Sequence, residues 1–167
     1  MAETTIVDEF ECTEETYWGK CHFDPEYNRR LYLEHLKFPD WRLVETKTEG
    51  DKTTRRVTLD PPVGNLPGPV KKLVGDKLSY TENGTYDQKS GRYTFTITPS
   101  TMAEKTKITG EIWCETLGEK RIRRNTRIHV EVKVFMVGGM VEDKVMGDLK
   151  SSYATAAPFT NEFVKGL

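Results

Sequence analysis

The sequence has 167 residues, of which 36% are hydrophobic and 31% are charged. Seven phenylalanines, seven tyrosines and three tryptophans are too many for a disordered chain. The 25 basic and 26 acidic residues leave a net charge of -1, which argues against nucleic acid as the main partner, because phosphate binding requires a basic excess. We therefore predict one soluble domain of mixed structure over residues 1–167.

The N-terminal segment predicts a cytoplasmic protein. Residues 1–10 have neither the basic start nor the apolar run of a secretory signal. No stretch approaches the roughly 18 apolar residues that a membrane-spanning helix needs. Cys12, Cys21 and Cys114 are odd in number and widely spaced, so we expect reduced cysteines rather than a disulfide framework.

The first elements are a strand and two short helices. Alternation of apolar and polar residues over 5–12 predicts the strand, although Asp8 interrupts its apolar side. Thr13 is a candidate N-cap for the first helix. Asp24, followed by Pro25 at the first helical position, predicts the start of the second helix, which runs to about Leu36.

Residues 41–137 alternate with a period of two. Turn signals separate the runs at Gly50-Asp51, at residues 88–91 and at residues 118–120, and the clearest run extends from Ile122 to Met136. This pattern predicts about six antiparallel strands joined by hairpins, with one apolar face and one face in water.

Two stretches break this rhythm. Residues 60–75 contain four prolines and three glycines, which forbid a central strand and predict a long connection with one helical turn. After Gly138-Gly139, apolar residues recur at steps of three and four for about 28 residues. They predict a long amphipathic C-terminal helix, which Pro158 would kink or interrupt.

The predicted sheet must bury its apolar face, and the C-terminal helix is the only element large enough to cover it. A curved sheet around a single helix leaves an internal space at one end. That space is either packed with large side chains or left as an apolar pocket.

The element order resembles the START-like superfamily (SRPBCC, helix-grip), in an uncharacterised bacterial branch related to polyketide cyclases and lipid-transfer domains. Three segments carry the resemblance: FDPEYNRRLYL at 23–33, LPGPVKKLVGD at 66–76 and VGGMVE at 137–142. The resemblance covers the whole chain. It implies an α+β helix-grip fold, in which a curved antiparallel sheet of about seven strands wraps around a long C-terminal helix and two short helices follow strand 1. It also implies a bound hydrophobic small molecule, often a lipid, and it implies no catalytic residue.

Several charged residues fall in phase with apolar ones, namely Glu45, Arg55, Glu82 and Arg124. A charge that faces inward must be paired or must meet a ligand. Two interpretations stay open: the charges lie near strand ends where the inward face is wet, or they orient a ligand head group. In a variant of the second interpretation, Glu82 acts as an acid–base catalyst on the bound ligand. The predicted ligand-cavity residues are Tyr80, Glu82, Tyr93, Phe95, Ile112, Arg124, Ile128, Val145, Leu149 and Tyr153.

The 60–75 connection combines apolar residues with the lysines 71, 72 and 77. We predict a lid or portal loop that makes transient contact with a membrane surface; the alternative is a loop that closes one end of the core. The residues predicted for the lid are Val63, Leu66, Val70 and Leu73.

No catalytic motif is recognisable, and His22, His35 and His129 have no metal-ligand spacing. The leading hypothesis is a carrier or transfer protein for a hydrophobic small molecule, a lipid above all, without a metal or other cofactor and without a nucleic-acid partner. The first alternative is a cyclase or aromatase-type enzyme that uses the same cavity. The second is a protein-interaction module with a filled core.

Overall fold

One antiparallel sheet dominates the computed structural model, which describes residues 1–62, 64, 66–75 and 77–167. The strands follow the order β1-β7-β6-β5-β4-β3-β2, so the first and last strands of the chain pair in register, with Asp8 opposite Arg124. Their bounds are β1 (Ala2–Phe10), β2 (Asp40–Glu49), β3 (Lys52–Asp60), β4 (Tyr80–Asp87), β5 (Arg92–Pro99), β6 (Thr106–Gly118) and β7 (Arg121–Val132).

Two short helices follow β1, as the sequence predicts. Helix α1 (Glu14–Thr16) continues as a π-helical segment, Tyr17–His22, and α2 (Pro25–Arg29) continues as another, Arg30–His35. The side chain of Thr13 accepts a hydrogen bond from the amide of Thr16 at 3.1 Å, and that of Asp24 accepts one from Tyr27 at 2.8 Å. Both predicted N-caps are therefore present.

The remaining helical elements are α3 (Gly68–Val74), a 3-10 turn (Ala103–Lys105) and α4 (Gly138–Lys165). Helix α4 continues through Pro158, so of the predicted kink or break the break does not occur. Helix α3 gives the 60–75 connection seven helical residues, more than the single turn expected from the sequence. The predicted α+β helix-grip architecture, with the sheet wrapped around the C-terminal helix, is confirmed.

The interior consists of two apolar clusters at opposite ends of α4. One is centred on Phe10, Tyr17 and Tyr93, and is closed by α1 and α2. The other is centred on Val130 and Val141, and is closed by α3.

Two glycines let large rings lie against the sheet. A Cβ on Gly84 would lie 1.8 Å from the hydroxyl oxygen of Tyr93, and a Cβ on Gly110 would lie 2.1 Å from Cζ of Phe95. No side chain fits at either position. The rings therefore occupy space that side chains on β4 and β6 would otherwise fill.

Two predictions of side-chain direction are wrong. A bulge between Leu43 and Glu45 shifts the register of β2, and Glu45 is exposed. The strand β7 ends at Val132, so Met136 no longer follows the alternation and is 87% exposed.

Candidate functional site

A cavity of about 120 Å³ lies between the inner face of the sheet, the two short helices and α4. Its walls are mainly apolar and aromatic, but several buried polar groups interrupt them. The apolar lining includes Leu31, Leu59, Phe95, Ile97, Ile112, Ile128, Leu149 and Ala156, and the polar and phenolic lining includes Tyr17, His22, Tyr27, Asn28, Tyr32, Arg55, Glu82, Arg124, Ser152 and Tyr153.

A buried ion pair joins β3 to β4 on one wall. Arg55 Nη2 donates to Glu82 Oε2 at 3.1 Å, and Arg55 Nη1 donates to the carbonyl of His22 at 2.6 Å. The hydroxyl of Tyr93 donates to the same Glu82 oxygen at 2.6 Å. Because Gly84 has no side chain, the Tyr93 hydroxyl can reach this pair. The pair is thus positioned by four elements of the fold.

Burial and the ion pair act in opposite directions on Arg55. Burial lowers its pKa, whereas Glu82 and then Tyr93 raise it, and the net pKa lies above the ordinary value. For Tyr93, burial and then the Glu82 carboxylate both disfavour the phenolate, so its pKa is also raised. Tyr93 is therefore a hydrogen-bond donor and not a base at neutral pH.

A second buried ion pair joins β1 to β7. Arg124 Nη2 donates to Asp8 Oδ2 at 2.7 Å, and Nη1 donates to the hydroxyl of Tyr17 at 3.1 Å. The guanidinium also lies over the rings of Phe10 and Tyr153, at 4.7 and 5.0 Å from their centroids. Aromatic faces attract a cation, and more strongly where water is excluded.

Three buried polar atoms close to these pairs have no hydrogen-bond partner among the residues that the structure describes: Arg124 Nε, Thr126 Oγ1 and His22 Nε2. Most buried polar atoms in proteins are satisfied, so such a concentration is unusual. Burial first, and then Arg55 and Arg124, lower the pKa of His22 well below 6.5. A neutral imidazole is consistent with its aromatic neighbours, of which Tyr93 is the nearest, with 4.3 Å between ring centroids.

Seven of the ten predicted cavity residues line this cavity, two line another one, and Tyr93 lies behind the wall as the donor to Glu82. The other cavity, of about 50 Å³, is at the α3 end of the molecule. The seven are Glu82, Phe95, Ile112, Arg124, Ile128, Leu149 and Tyr153; the two are Tyr80 and Val145.

The predicted lid residues lie at the smaller cavity. Leu66 and Val70 line it, and Leu73 packs against the same apolar cluster. Val63 is outside the described residues. Val70 is 2% exposed and so belongs to the core at this end of the molecule.

The sequence reasoning missed the partners of the inward charges. Asp8 interrupts the apolar side of β1, and this was the available signal for a partner of Arg124. No signal of that kind marks Tyr17 and His22 as partners of the two arginines, because these contacts depend on how the Tyr17–His22 segment packs across the sheet.

A larger depression, of about 650 Å³, crosses the outer face of the sheet. Its lining is mostly threonines and charged side chains, and it includes the Glu3–His129 pair and Glu111, which pairs with Arg92. Partly exposed pairs of this kind contribute little and occur widely on protein surfaces. The inner cavity, with its buried and incompletely satisfied polar groups, is therefore the better candidate site.

The fold is shared with solved structures of low sequence identity. The Zhui aromatase/cyclase from Streptomyces sp. R1128 is 8% identical, with a TM-score of 0.67 over 98% of this chain and 93% of that one. A START superfamily protein from Mycobacterium smegmatis is 15% identical, with a TM-score of 0.63 over 97% and 98%. Norcoclaurine synthase from Thalictrum flavum, solved with dopamine and hydroxybenzaldehyde, is 13% identical, with a TM-score of 0.62 over 99% and 87%. The chain therefore has a START-like fold.

A search of curated protein sequences finds no significant match. A family model described as "Protein of unknown function (DUF2505)" matches residues 9–164. Among the described helices, none combines the length and hydrophobicity needed to cross a bilayer.

Proposed function

The chain belongs to the DUF2505 family of proteins of unknown function, and we propose that it binds a small hydrophobic molecule in the cavity between its sheet and α4. The observation that carries the proposal is the cavity itself, whose mainly apolar walls include Arg55, Glu82 and Arg124 from two buried ion pairs. An interior that served only for packing would be filled, because protein cores are close-packed. A cavity with a few convergent polar groups is the usual form of a small-molecule site.

The size of the cavity limits the buried part of the ligand. Pockets for drug-sized ligands have volumes of about 300–1,000 Å³, whereas a dry apolar cavity of about 150 Å³ holds benzene. The cavity here has about 120 Å³. It matches a single aromatic ring or a short branched alkyl group.

The charges of the cavity favour a neutral ligand. Arg55 is paired with Glu82 and Arg124 with Asp8, so each positive group that lines the cavity already has a counterion. A charged ligand would add a buried charge that has no counterion. A phenol or an alcohol instead offers a hydroxyl that exchanges hydrogen bonds with Tyr153 or Glu82 at the polar end.

The lipid carrier predicted from the sequence is a more specific form of this proposal, because it names the class of ligand. A lipid chain would require the cavity to expand several-fold, which α2 or α4 would have to allow by moving. Lipid binding, lipid transfer and cytoplasmic location stay predictions. The experiment below tests lipid binding.

The test fills the cavity from α4. Ser152 lines it, whereas the neighbouring Ser151 is exposed. Ser152→Phe therefore places a ring in the ligand's space, and Ser151→Phe adds the same ring on the surface. Binding of p-cresol, benzyl alcohol and palmitate is measured by isothermal titration and ligand-observed NMR, and native mass spectrometry of the purified protein detects any ligand that copurifies.

We expect the wild type and Ser151→Phe to bind a single-ring probe and Ser152→Phe to lose at least roughly tenfold in affinity. Tight binding of palmitate that is lost in Ser152→Phe would favour the lipid version. If no probe binds, or if a folded Ser152→Phe binds as well as Ser151→Phe, the proposal is wrong.

An enzyme of the cyclase or aromatase type is the second candidate, and Glu82 is the observation that favours it. Its carboxylate lines an apolar cavity and is held by Arg55 and Tyr93. Arg55 and Tyr93 both donate to Oε2, which leaves Oε1 as the oxygen that would take up a proton from a bound substrate. Incubation of any ligand found above, followed by mass spectrometry, tests for turnover. Glu82→Gln abolishes product formation if this candidate is correct.

A further inference from the structure

The connection between β7 and α4 exposes large apolar side chains. Phe135 is 90% exposed, Met136 is 87% exposed, and Met140 on the first turn of α4 is 42% exposed. Met136 has a φ of +68°, in the left-handed region that residues other than glycine rarely adopt. Scattered apolar residues on a surface are ordinary, but a contiguous group at a protruding turn indicates a contact surface.

Lysines surround this turn. The amide of Lys133 donates to the carbonyl of Lys105 at 2.7 Å, which brings the β7–α4 connection beside the 3-10 turn. Helix α3 closes the same end, because Val70 packs in one cluster with Val132. It carries two further exposed lysines, Lys71 and Lys72.

Lys71, Lys72, Lys105 and Lys133 lie at the same end of the molecule as the exposed apolar turn. Among the described residues, none of them forms an ion pair, whereas the arginines at the opposite end of β7 pair with Glu9, Glu11 and Glu115. Glu104 and Asp143 are exposed acids close by in the chain, and Glu131 is half-buried. Among these described residues, the four lysines outnumber the three acids, although the whole chain has a net charge of -1.

We propose that this end of the molecule, defined by Phe135, Met136, Met140 and the four lysines, docks on an anionic lipid bilayer. Phe135 and Met136 enter the interfacial region, and the lysines meet the phosphates of the head groups. Apolar side chains next to basic ones are the composition that binds such surfaces. Each lysine close to an anionic surface strengthens binding roughly fivefold at low salt.

The docking surface shares Lys71 and Lys72 with the one predicted in residues 60–75 and differs from it in the apolar contact. Two apolar side chains of α3 belong to the core, since Val70 is 2% exposed and Val74 is 8% exposed, and Leu73 packs partly buried against the same cluster. Helix α3 contributes charge, and the β7–α4 connection contributes the apolar contact. The proposal does not depend on whether the inner cavity binds a ligand.

Vesicle cosedimentation tests the proposal with the full chain. The vesicles contain phosphatidylcholine alone or phosphatidylcholine mixed with phosphatidylglycerol, each at low and at high salt. Three variants are compared with the wild type: Phe135→Ser with Met136→Ser, Lys105→Gln with Lys133→Gln, and the control Leu117→Ser. Leu117 is 40% exposed at the β6–β7 turn, which lies at the opposite end of the sheet.

We expect the wild type and Leu117→Ser to bind the anionic vesicles at low salt and to bind phosphatidylcholine weakly. The serine variant should lose at least roughly tenfold in partitioning, because both apolar groups then stay in water. The glutamine variant should lose roughly tenfold or more and should show a weaker salt dependence.

The proposal is overturned if the wild type does not bind anionic vesicles, or if the serine variant binds them as the wild type does. Size-exclusion chromatography over a range of concentrations provides a further criterion. A dimer that the serine variant abolishes, without vesicle binding by the wild type, would assign the same residues to a protein interface. Circular dichroism verifies that each variant is folded.

Discussion

Replacing Glu82 with Gln tests whether the buried pair on β3 and β4 stabilises the fold. The substitution keeps the shape of the side chain and removes the charge that neutralises Arg55. Arg55 is 8% exposed and the Glu82 side chain 15%, so water cannot replace the lost charge. Breaking a buried pair from one side destabilises a protein by about 3–5 kcal/mol.

The lower part of that range applies here, because Arg55 keeps its hydrogen bond to the carbonyl of His22. We expect a loss of about 3 kcal/mol, which in a domain of this size lowers Tm by roughly 6–12 °C. Urea unfolding followed by tryptophan fluorescence measures the free energy of unfolding, and calorimetry measures Tm. The matched control is Glu111→Gln, whose partner Arg92 has a side chain that is 43% exposed, and it should cost less than about 1 kcal/mol.

A double-mutant cycle separates the pair from its surroundings. Arg55→Met alone leaves the Glu82 charge buried, and the combination of Arg55→Met with Glu82→Gln leaves neither charge. We expect the combined loss to be smaller than the sum of the single losses by at least about 1 kcal/mol. Additive losses, or a Glu82→Gln variant as stable as the wild type, would refute the reasoning.

Three further predictions follow from single contacts. Because the pKa of His22 lies below its unfolded value of 6.5, the unfolded chain binds the proton first. The wild type should therefore lose up to about 1.4 kcal/mol per pH unit below about pH 6.5 relative to His22→Phe, as measured by urea unfolding at each pH. The hydroxyls of Tyr27 and Thr160 are 2.6 Å apart and buried. Thr160→Val should lose about 1–3 kcal/mol in urea unfolding, and adding Tyr27→Phe should recover part of that loss; no recovery would contradict the contact. Gly84→Ala should displace the Tyr93 hydroxyl and destabilise the fold by about 1–3 kcal/mol, and an unchanged Tm would show that the ring can move freely.

The sequence allowed the sheet and its inward charges to be predicted, because strand periodicity assigns each residue to a face. Arg55, Glu82 and Arg124 were identified by their phase alone, and all three face inward. The pairing of Arg55 with Glu82 was not predicted, and Asp8 was not identified as the partner of Arg124. Asp8 and Arg124 are 116 residues apart, and their contact depends on β1 pairing with the last strand.

Local irregularities account for the other errors. The alternation of residues in the sequence does not reveal a bulge. In the structure, the bulge before Glu45 moves this residue to the surface. The same reasoning extended β7 to Met136, although the chain leaves the sheet after Val132. The volume of the cavity could not be predicted from the sequence either, because it depends on where α1 and α2 cross the sheet and not on residue type.

The two buried ion pairs help to explain why the inner cavity remains open. An apolar gap tends to close, because each methylene group that regains contact stabilises the fold. Arg55 is held by Glu82, Tyr93 and the carbonyl of His22, and Arg124 is held by Asp8, Tyr17 and aromatic faces. These contacts fix the Tyr17–His22 segment at a set distance from β3 and β7. Buried ion pairs are seldom more stabilising than apolar residues of similar volume. Their place around a cavity is therefore better explained by the geometry that they maintain than by the stability that they add.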